Sequence, residues 1–191
     1  MMSVKSIMIV GVGGQGSLLA SKLLGRLLID EGYDVKVSEV HGMSQRGGSV
    51  VTYVRYGDKV YSPIIEKGEA DQIVSFEKLE AARWLPCLKK GGRVIVNSQQ
   101  IDPMPVITGA AKYPAQVLDE LREKGVDVEE IDALKIAKEA GSVKAVNIVL
   151  MSRLAKHLDI PEEKWLEAIK NTVKPAFCEM NIKAFRAGYE I

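Results

Sequence analysis

A glycine-rich segment near the N-terminus constrains the fold more than any other feature of the sequence. It reads Gly11-Val12-Gly13-Gly14-Gln15-Gly16 and follows an apolar, β-branched run that predicts a central strand over residues 4–10. Leucines and alanines at helical spacing then predict a helix over residues 15–31. Residues 33–40 predict a second strand, parallel to the first. The chain therefore begins as a β-loop-α-β unit.

The glycine loop has the spacing of a nucleotide-binding motif. Gly11, Gly13 and Gly16 satisfy GxGxxG between a strand and a helix, where the helix N-terminus offers free N–H groups to an anion. Glu39 ends the second predicted strand, close to where a dinucleotide fold places its ribose-binding acid. These features alone predict an NAD- or FAD-binding oxidoreductase. Three features weaken that prediction: the additional glycine, the polar Gln15 and the absence of a helix after Glu39. An alternative is that the glycines serve only turn geometry and helix packing.

The rest of the sequence predicts one domain, residues 1–191, of the α/β class. We expect a three-layer, Rossmann-like arrangement with a mixed, mostly parallel sheet and a helical C-terminal region. Alternation and turn residues predict a hairpin of strands 49–56 and 59–62 across Gly57-Asp58. The other predicted strands are 72–76, 92–97, 104–108 and 126–131. The other predicted helices are 78–88, 115–124, the segment between Asp132 and Gly141, 145–158, and two more, after Pro161 and Pro175.

The two C-terminal helices have apolar side chains at a spacing of three to four residues. The predicted core positions are Trp165, Leu166, Ile169, Phe177, Met180, Asn181, Ala184 and Phe185. We expect the aromatic stripe of Trp165, Phe177 and Phe185 to be core or subunit interface rather than a ligand cage.

Composition excludes several classes of function. Twenty-six basic and 25 acidic residues nearly cancel, so no electrostatic footprint for nucleic acid or an anionic membrane is expected. No apolar run has the length of a membrane helix, and the N-terminal apolar run is too short for a secretory signal, which together predict a cytoplasmic location. Two cysteines, Cys87 and Cys178, cannot bind an iron–sulfur cluster and are expected to be reduced, buried thiols.

A second polar loop, residues 41–48, follows the second predicted strand at the edge where α/β sheets bind ligands. Arg46 followed by Gly47-Gly48 places a guanidinium beside uncovered backbone N–H groups, which suits a phosphate or a carboxylate. The same arrangement suits an interface loop in which Arg46 pairs with a carboxylate. His41 borders the loop and is a candidate general base or a backbone hydrogen-bonding residue, whereas His157 is expected only to stabilise a helix C-terminus.

Taken together, the two loops resemble a known family. The glycine loop, followed by Glu39-Val40-His41-Gly42-Met43-Ser44-Gln45-Arg46-Gly47-Gly48-Ser49-Val50, is similar to the gamma-type domain of 2-oxoacid:ferredoxin oxidoreductases. The run Gly-Met-Ser-Gln-Arg-Gly-Gly is most similar to the beta subunits of indolepyruvate ferredoxin oxidoreductases. The similarity continues through Asn147, Lys174-Pro175, Glu179-Met180-Asn181, Ala184-Phe185 and Gly188, and so covers the whole chain.

The resemblance implies a subunit of a complex that decarboxylates arylpyruvates oxidatively to aryl-acetyl-CoA. It implies that thiamine diphosphate, magnesium and the iron–sulfur clusters belong to a large partner subunit. Coenzyme A is then a co-substrate, and electrons reach ferredoxin through the complex. The isolated chain is expected to be inactive, and the resemblance is compatible with its forming a homodimer. No residue is assigned a catalytic role. The expected ligand or partner loop residues are Gly11, Gly13, Gly14, Gln15, Gly16, His41, Gln45, Arg46, Gly47 and Gly48.

Two other functions remain open at this point. One is a stand-alone NAD- or FAD-binding Rossmann oxidoreductase, and the other is a purely structural assembly subunit. Within the resemblance, Arg46 would pair with an anion, Gln15 and Gln45 would make polar contacts, and the amides of residues 11–16 would hold a phosphate. The sequence specifies no residue for an indole ring.

Overall fold

The computed structural model describes residues 3–41, with only the backbone of His41, and residues 47–191. In these ranges six strands form one sheet in the order β2-β3-β1-β4-β5-β6. The strands are β1 (Lys5–Val12), β2 (Asp34–His41), β3 (Ser49–Gly57), β4 (Ala70–Ser75), β5 (Leu88–Asn97) and β6 (Asp127–Ile131).

The sheet is mixed because one strand opposes all the others. β3 is antiparallel to both of its neighbours, β1 and β2, while β1, β4, β5 and β6 pair in parallel. β1 and β2 therefore run in the same direction, as predicted, but β3 lies between them. The prediction of a mixed, mostly parallel sheet is confirmed.

Helices cover both faces of the sheet. They are α1 (Ser17–Asp30), α2 (Lys78–Trp84), α3 (Met104–Ile107), α4 (Val117–Glu123), α5 (Ala133–Ala140), α6 (Val146–Ala155), α7 (Glu162–Thr172) and α8 (Cys178–Tyr189). Side chains of β1 alternate between the two resulting cores: Ile7 and Ile9 pack with α1 and α5 to α8, and Met8 and Val10 pack with α2 and α4. The predicted three-layer arrangement with a helical C-terminal region is confirmed. Within the described ranges, no helix combines the length and apolarity needed to cross a lipid bilayer.

The predicted hairpin between residues 49–56 and 59–62 is wrong. β3 has β1 on one side and β2 on the other, so neither of its edges is free for a following strand. Side chains bind the backbone of the following segment instead: the Asp34 carboxylate accepts from the N–H of Val60 at 2.8 Å, and Arg55 donates to the carbonyl of Ile64 at 2.7 Å. Tyr61 in this segment is 89% exposed.

The strand predicted over residues 104–108 is also wrong, because this segment forms the short helix α3. Pro103 and Pro105 lack the N–H groups that a sheet requires, whereas both fit the first turn of a helix. The carbonyl of Met104 accepts the N–H and the hydroxyl of Thr108, which closes the turn. Met104 and Ile107 are each 66% exposed, so the segment lies outside the core.

The C-terminal helices meet most of the predictions made for them. Trp165 and Phe185 are fully buried and stack with their ring centroids 5.9 Å apart. Phe177 is 54% exposed, so the predicted aromatic stripe does not extend to it, because α8 begins only at Cys178. Cys87 and Cys178 are free thiols, as predicted, but both are only half-buried.

An ion-pair cluster joins the end of α6 to the β5–β6 side of the sheet. Glu129 accepts from Arg153 at 2.5 Å and contacts Nε2 of His157 at 2.6 Å. Arg93 contacts the same imidazole and pairs with Asp127 at 2.6 Å. His157 therefore contributes to a structural cluster that lies at the opposite edge of the sheet from the glycine loop. Burial alone would raise the pKa of the Glu129 carboxyl, but the hydrogen bonds from Arg153 and His157 outweigh it and hold that pKa below its usual value.

Replacing Glu129 by glutamine should lower the free energy of unfolding at pH 7 by about 2 kcal/mol, because charge-assisted bonds to Arg153 and His157 are weakened. A carboxyl whose pKa is depressed by folding stabilises the protein above its unfolded pKa, and that stability is lost as pH falls through the folded value. Urea titrations between pH 7 and pH 3 should therefore show a gap between wild type and Glu129→Gln that closes on acidification. Glu123→Gln, which removes an exposed carboxylate, is the control, and a gap that stays constant with pH would contradict the linkage.

Candidate functional site

Several chain segments converge at one edge of the sheet. The carboxyl ends of β1, β4 and β5 meet there because these strands are parallel, and α/β sheets bind ligands at this edge. The glycine loop follows β1, residues 76–77 follow β4, and residues 98–99 follow β5. The N–H of Gly13 donates to the carbonyl of Gly48 at 2.9 Å. The glycine loop is thus in direct contact with the end of the loop that carries Gly47-Gly48.

The glycines of the first loop have different roles. Gly11 belongs to β1, opposite Val50, and a Cβ there would lie 2.9 Å from the Cβ of Phe76. Gly14 and Gly16 have φ angles of +101° and +88°, which disfavour any residue with a Cβ. The space beside Gly14 is open, whereas a Cβ on Gly16 would lie 3.1 Å from the amide nitrogen of Asn147. The loop therefore needs glycine for packing at its start and for backbone conformation at its end.

Gln15 turns its side chain inward and holds the loop together. Its Oε1 accepts from the N–H of Val12 at 2.7 Å, and its Nε2 donates to the carbonyl of Phe76 at 3.0 Å and to Oε1 of Gln99 at 3.2 Å. Both amide hydrogens thus have partners inside the protein. The polar residue that is unusual for a dinucleotide motif is explained here as a clamp between β1 and the ends of β4 and β5.

Asn97, the last residue of β5, is fully buried and extends the same clamp. Its Oδ1 accepts from the N–H of Ala133 at 3.1 Å, which fixes the start of α5. Its Nδ2 donates to the carbonyl of Phe76 at 3.2 Å and to Oε1 of Gln99 at 3.3 Å. We call Gln15, Asn97 and Gln99 the amide network.

The N-terminus of α1 is available at this edge. Gly16 occupies the N-cap position without a side-chain cap, and its carbonyl accepts from Asn147 at 3.3 Å. Within the described residues, no protein acceptor is bonded to the N–H groups of Gly14, Gly16 and Ser17. Free N–H groups at the positive end of a 14-residue helix favour an anion.

Two clefts lie on either side of the glycine loop. The first, of about 390 Å³, is lined by Gly13, Gly14, Gly16, Ser17, Leu18, Glu39 and Val50. The second, of about 510 Å³, is lined by Gly14, Gln15, Gly16, Leu19, Gln99, Leu134, Val143, Lys144, Val146 and Asn147. Gly14 and Gly16 line both, so the N-terminus of α1 is open to ligands from two directions.

A buried carboxylate supports the segment behind the loop. Glu77 is 1% exposed and accepts from the N–H of Glu80 at 2.9 Å and from the N–H of Ile101 at 3.2 Å. It also accepts from the hydroxyl of Tyr113, and burial together with this carboxylate raises the pKa of Tyr113 far above its usual value. Tyr113 is therefore a neutral donor at physiological pH, and Glu77 has a structural role here.

The remaining predicted site residues are only partly covered by the described ranges. Gln45 and Arg46 lie outside the described residues, as does the side chain of His41, whose backbone pairs with Val50 at the end of β2. Gly47 has a φ of +78°, and Gly48 contacts Gly13 as described above. Sequence reasoning did not identify Asn97, Gln99 or Lys144 as members of this edge. The polar run Asn97-Ser98-Gln99-Gln100 directly after an apolar strand was the available signal for two of them.

The chain has few of the side chains that bind iron–sulfur clusters. Its two cysteines cannot provide the four thiolates that such clusters require. Across residues 3–41 and 47–191, no three His, Cys, Asp or Glu side chains are grouped as a metal site requires. The described donors are amides, backbone N–H groups and one ammonium, which suit an anionic organic ligand.

Comparison with known proteins identifies a family over nearly the whole chain. The family model described as pyruvate ferredoxin/flavodoxin oxidoreductase matches residues 6–191. The indolepyruvate oxidoreductase subunit IorB of Thermococcus kodakarensis is 44% identical over 190 residues, which cover 96% of this chain and 93% of the relative. The subunit of the same name from Pyrococcus horikoshii is 45% identical over 192 residues, with the same coverage.

The fold is also found in solved structures. The gamma subunit of a keto/oxoacid ferredoxin oxidoreductase from Geobacter sulfurreducens superposes with a TM-score of 0.72 at 23% identity, covering 97% of this chain and 96% of that subunit. At this level of identity the match supports the shared architecture of six strands and surrounding helices.

Proposed function

The chain belongs to the pyruvate ferredoxin/flavodoxin oxidoreductase family, and from that premise we propose that it is the small subunit of an indolepyruvate:ferredoxin oxidoreductase complex. The proposed reaction converts an arylpyruvate, coenzyme A and two oxidised ferredoxins into aryl-acetyl-CoA, carbon dioxide, two reduced ferredoxins and a proton. The relatives named as subunits of indolepyruvate oxidoreductases support this assignment.

We assign the electron-transfer and thiamine chemistry to a larger partner subunit. Thiamine diphosphate with magnesium would supply the chemistry of decarboxylation there, and iron–sulfur clusters would carry electrons to ferredoxin. This placement agrees with the donor inventory of the chain, whose two cysteines do not suffice for a cluster. The cytoplasm, where the substrates and ferredoxin of such a complex are found, is the proposed location.

The chain's own contribution is an anion-binding edge beside the partner's reaction site. The single observation that supports it most is the 2.9 Å hydrogen bond from Gly13 to Gly48, which joins the two loops at the N-terminus of α1. Backbone N–H groups of the glycine loop would bind a phosphate or carboxylate, and Arg46 would pair with it as a planar cation. His41 and Gln45 would add polar contacts, while Gln15 holds the loop in shape.

Replacing Arg46 by alanine should raise the apparent KM for coenzyme A, for the arylpyruvate, or for both by about 10- to 100-fold, because a charge-assisted hydrogen bond contributes about 1.5–3 kcal/mol. The assay is ferredoxin reduction by the co-expressed complex at fixed ionic strength. Arg26→Ala, which removes an exposed arginine paired with Asp30 near the end of α1, is the matched control. Wild-type KM values for both substrates in Arg46→Ala would exclude the anion-binding role.

A second candidate function, a stand-alone dinucleotide enzyme, is favoured by one observation. Glu39 lines the first cleft together with Gly13 and Gly14, as a ribose-binding acid would. The strand order argues against it, since a dinucleotide fold places this acid on the strand next to β1, and here β3 intervenes. The insertion moves Glu39 away from the loop by one strand spacing, about 4.8 Å. Thermal-shift titrations of the isolated chain with NADH and FAD distinguish the two functions, and micromolar binding would favour the dinucleotide enzyme.

A further inference from the structure

An apolar segment between β5 and α4 lies on the surface of the protein. Residues 103–111, which we call the apolar loop, read Pro-Met-Pro-Val-Ile-Thr-Gly-Ala-Ala and contain no charged side chain. The loop includes α3, and all of its residues except Pro103 and Val106 are exposed. Met104 and Ile107 are each 66% exposed, although burial of such side chains is favourable.

Both ends of the apolar loop are attached to one buried carboxylate. Before the loop, the N–H of Ile101 donates to Oε1 of Glu77 at 3.2 Å, and after it the hydroxyl of Tyr113 donates to the same oxygen. That hydroxyl also accepts from the N–H of Leu79 at 3.1 Å. Because Glu77 directly follows the end of β4, the loop begins and ends at the carboxyl edge of the sheet.

Hydrogen bonds within the apolar loop fix its shape. The N–H of Ala111 donates to the carbonyl of Pro105 at 2.9 Å, and the N–H of Gly109 donates to the carbonyl of Val106 at 3.0 Å. A loop that is ordered before binding loses little conformational entropy when a partner covers it. Exposed apolar side chains on such a loop are typical of a protein interface.

The size and position of the apolar loop indicate which protein covers it. A stable interface buries about 800 Å² on each partner, and Met104 and Ile107 supply only a small part of that area. Two-fold pairing of copies through this loop would place one protruding loop against another. A different protein seated on the carboxyl edge would also cover Leu18 and Val143, which are exposed apolar residues beside the glycine loop.

We propose that the apolar loop is a docking element for the large partner subunit, and that Met104 and Ile107 insert into an apolar groove on that subunit. The inference rests on the proposed function, in which the large subunit meets this edge of the sheet. It adds a contact that lies beyond the glycine loop and the loop of residues 41–48.

Ile107→Lys tests the docking role, and Ile29→Lys is its matched control. Ile29 is 58% exposed in the last turn of α1, at the opposite edge of the sheet. Both variants place an ammonium on an exposed position at the end of a helix, where a cation is favourable, so both should fold. Ile107→Lys should weaken association with the proposed large subunit by at least about 10-fold, because a charge cannot enter an apolar groove without cost. Ile29→Lys should leave the affinity unchanged.

Affinity is measured by biolayer interferometry with the immobilised large subunit. Oxidation of Met104 gives a second readout that needs no substitution. Dilute hydrogen peroxide should convert this exposed thioether to the sulfoxide in the isolated chain, and the complex should protect it, as measured by peptide mass spectrometry.

Equal affinities of the two lysine variants, or equal oxidation of Met104 in the chain and the complex, would overturn the inference. A complex that still reduces ferredoxin with these results would retain the proposed function. A homodimer of the isolated chain that Ile107→Lys dissociates, seen by analytical ultracentrifugation, would identify a second copy as the partner and would also overturn the inference. Failure of the wild-type chain to bind the large subunit would contradict the proposed function and the inference together.

Discussion

Replacing Asn97 by alanine should lower the free energy of unfolding by about 3 kcal/mol, since a buried donor left without an acceptor costs about 1–3 kcal/mol and further bonds are lost with it. The N–H of Ala133 would lose its acceptor, and the carbonyl of Phe76 would lose one of its two side-chain donors. Gln99 would also lose one of the two bonds that orient it. The variant should therefore be less stable and should bind anions at the glycine loop more weakly.

Urea denaturation at pH 7 measures the first effect, and calorimetry with the assembled complex measures the second. The matched control is Asn171→Ala on the exposed side of α7, which should change stability by less than about 0.5 kcal/mol. Equal stability of the Asn97 and Asn171 variants would show that the network does not hold the edge of the sheet together.

Alanine substitutions at two helical glycines should change stability in opposite directions. A Cβ on Gly188 in α8 would overlap Ser152 Oγ and lie 3.0 Å from Cγ1 of Val149 in α6, so Gly188→Ala should destabilise by about 2 kcal/mol. A Cβ on Gly25 in α1 would meet only Val37 at an ordinary 3.5 Å. Gly25→Ala should therefore stabilise by about 0.5–1 kcal/mol through the lower entropy of its unfolded chain.

Thermal and urea unfolding of both variants under one buffer condition checks this pair. Because the two substitutions are chemically identical, the difference in sign reports only the packing around each site. Destabilisation of both variants to the same extent would contradict the account of how closely α8 packs on α6. The packing matters for the site, since α6 also contains Asn147, which binds the carbonyl of Gly16.

The sequence was sufficient to predict the elements that depend on local pattern. The apolar run of β1, the glycine loop and the leucine-rich α1 have periodicity and turn residues that few folds accommodate, and the structure has them where they were predicted. Asp132 was predicted to cap a helix, and its carboxylate accepts from the N–H of Lys135 at 2.9 Å. Such features are decided by interactions between residues close in the chain.

Features that depend on distant residues were not predictable in the same way. The segment after β3 has the alternation of a strand, but β1 and β2 already occupy both edges of β3. Residues 104–108 look β-like by composition, whereas two prolines and the bond from Thr108 to Met104 favour a helical turn. Periodicity carries no information on whether a partner strand has a free edge.

The candidate site shows the same limit. The glycine loop and its contact with Gly48 follow from topology, because both lie at the carboxyl edge of the sheet. The inward orientation of Gln15 does not, since it depends on Phe76 and Gln99, 61 and 84 residues away in the chain. A polar residue in a glycine motif suggests a ligand contact from sequence alone, and only the folded structure shows its bonds to the backbone.

The most direct test of the central claim is a reconstitution assay with the proposed large thiamine-binding subunit. Arylpyruvate- and coenzyme A-dependent reduction of ferredoxin is measured for the large subunit alone, for this chain alone, and for the two co-expressed. We predict that only the co-expressed pair is active and that Arg46→Ala reduces its substrate affinity without preventing assembly. Full activity of the large subunit alone, or dinucleotide-dependent turnover by this chain alone, would contradict it.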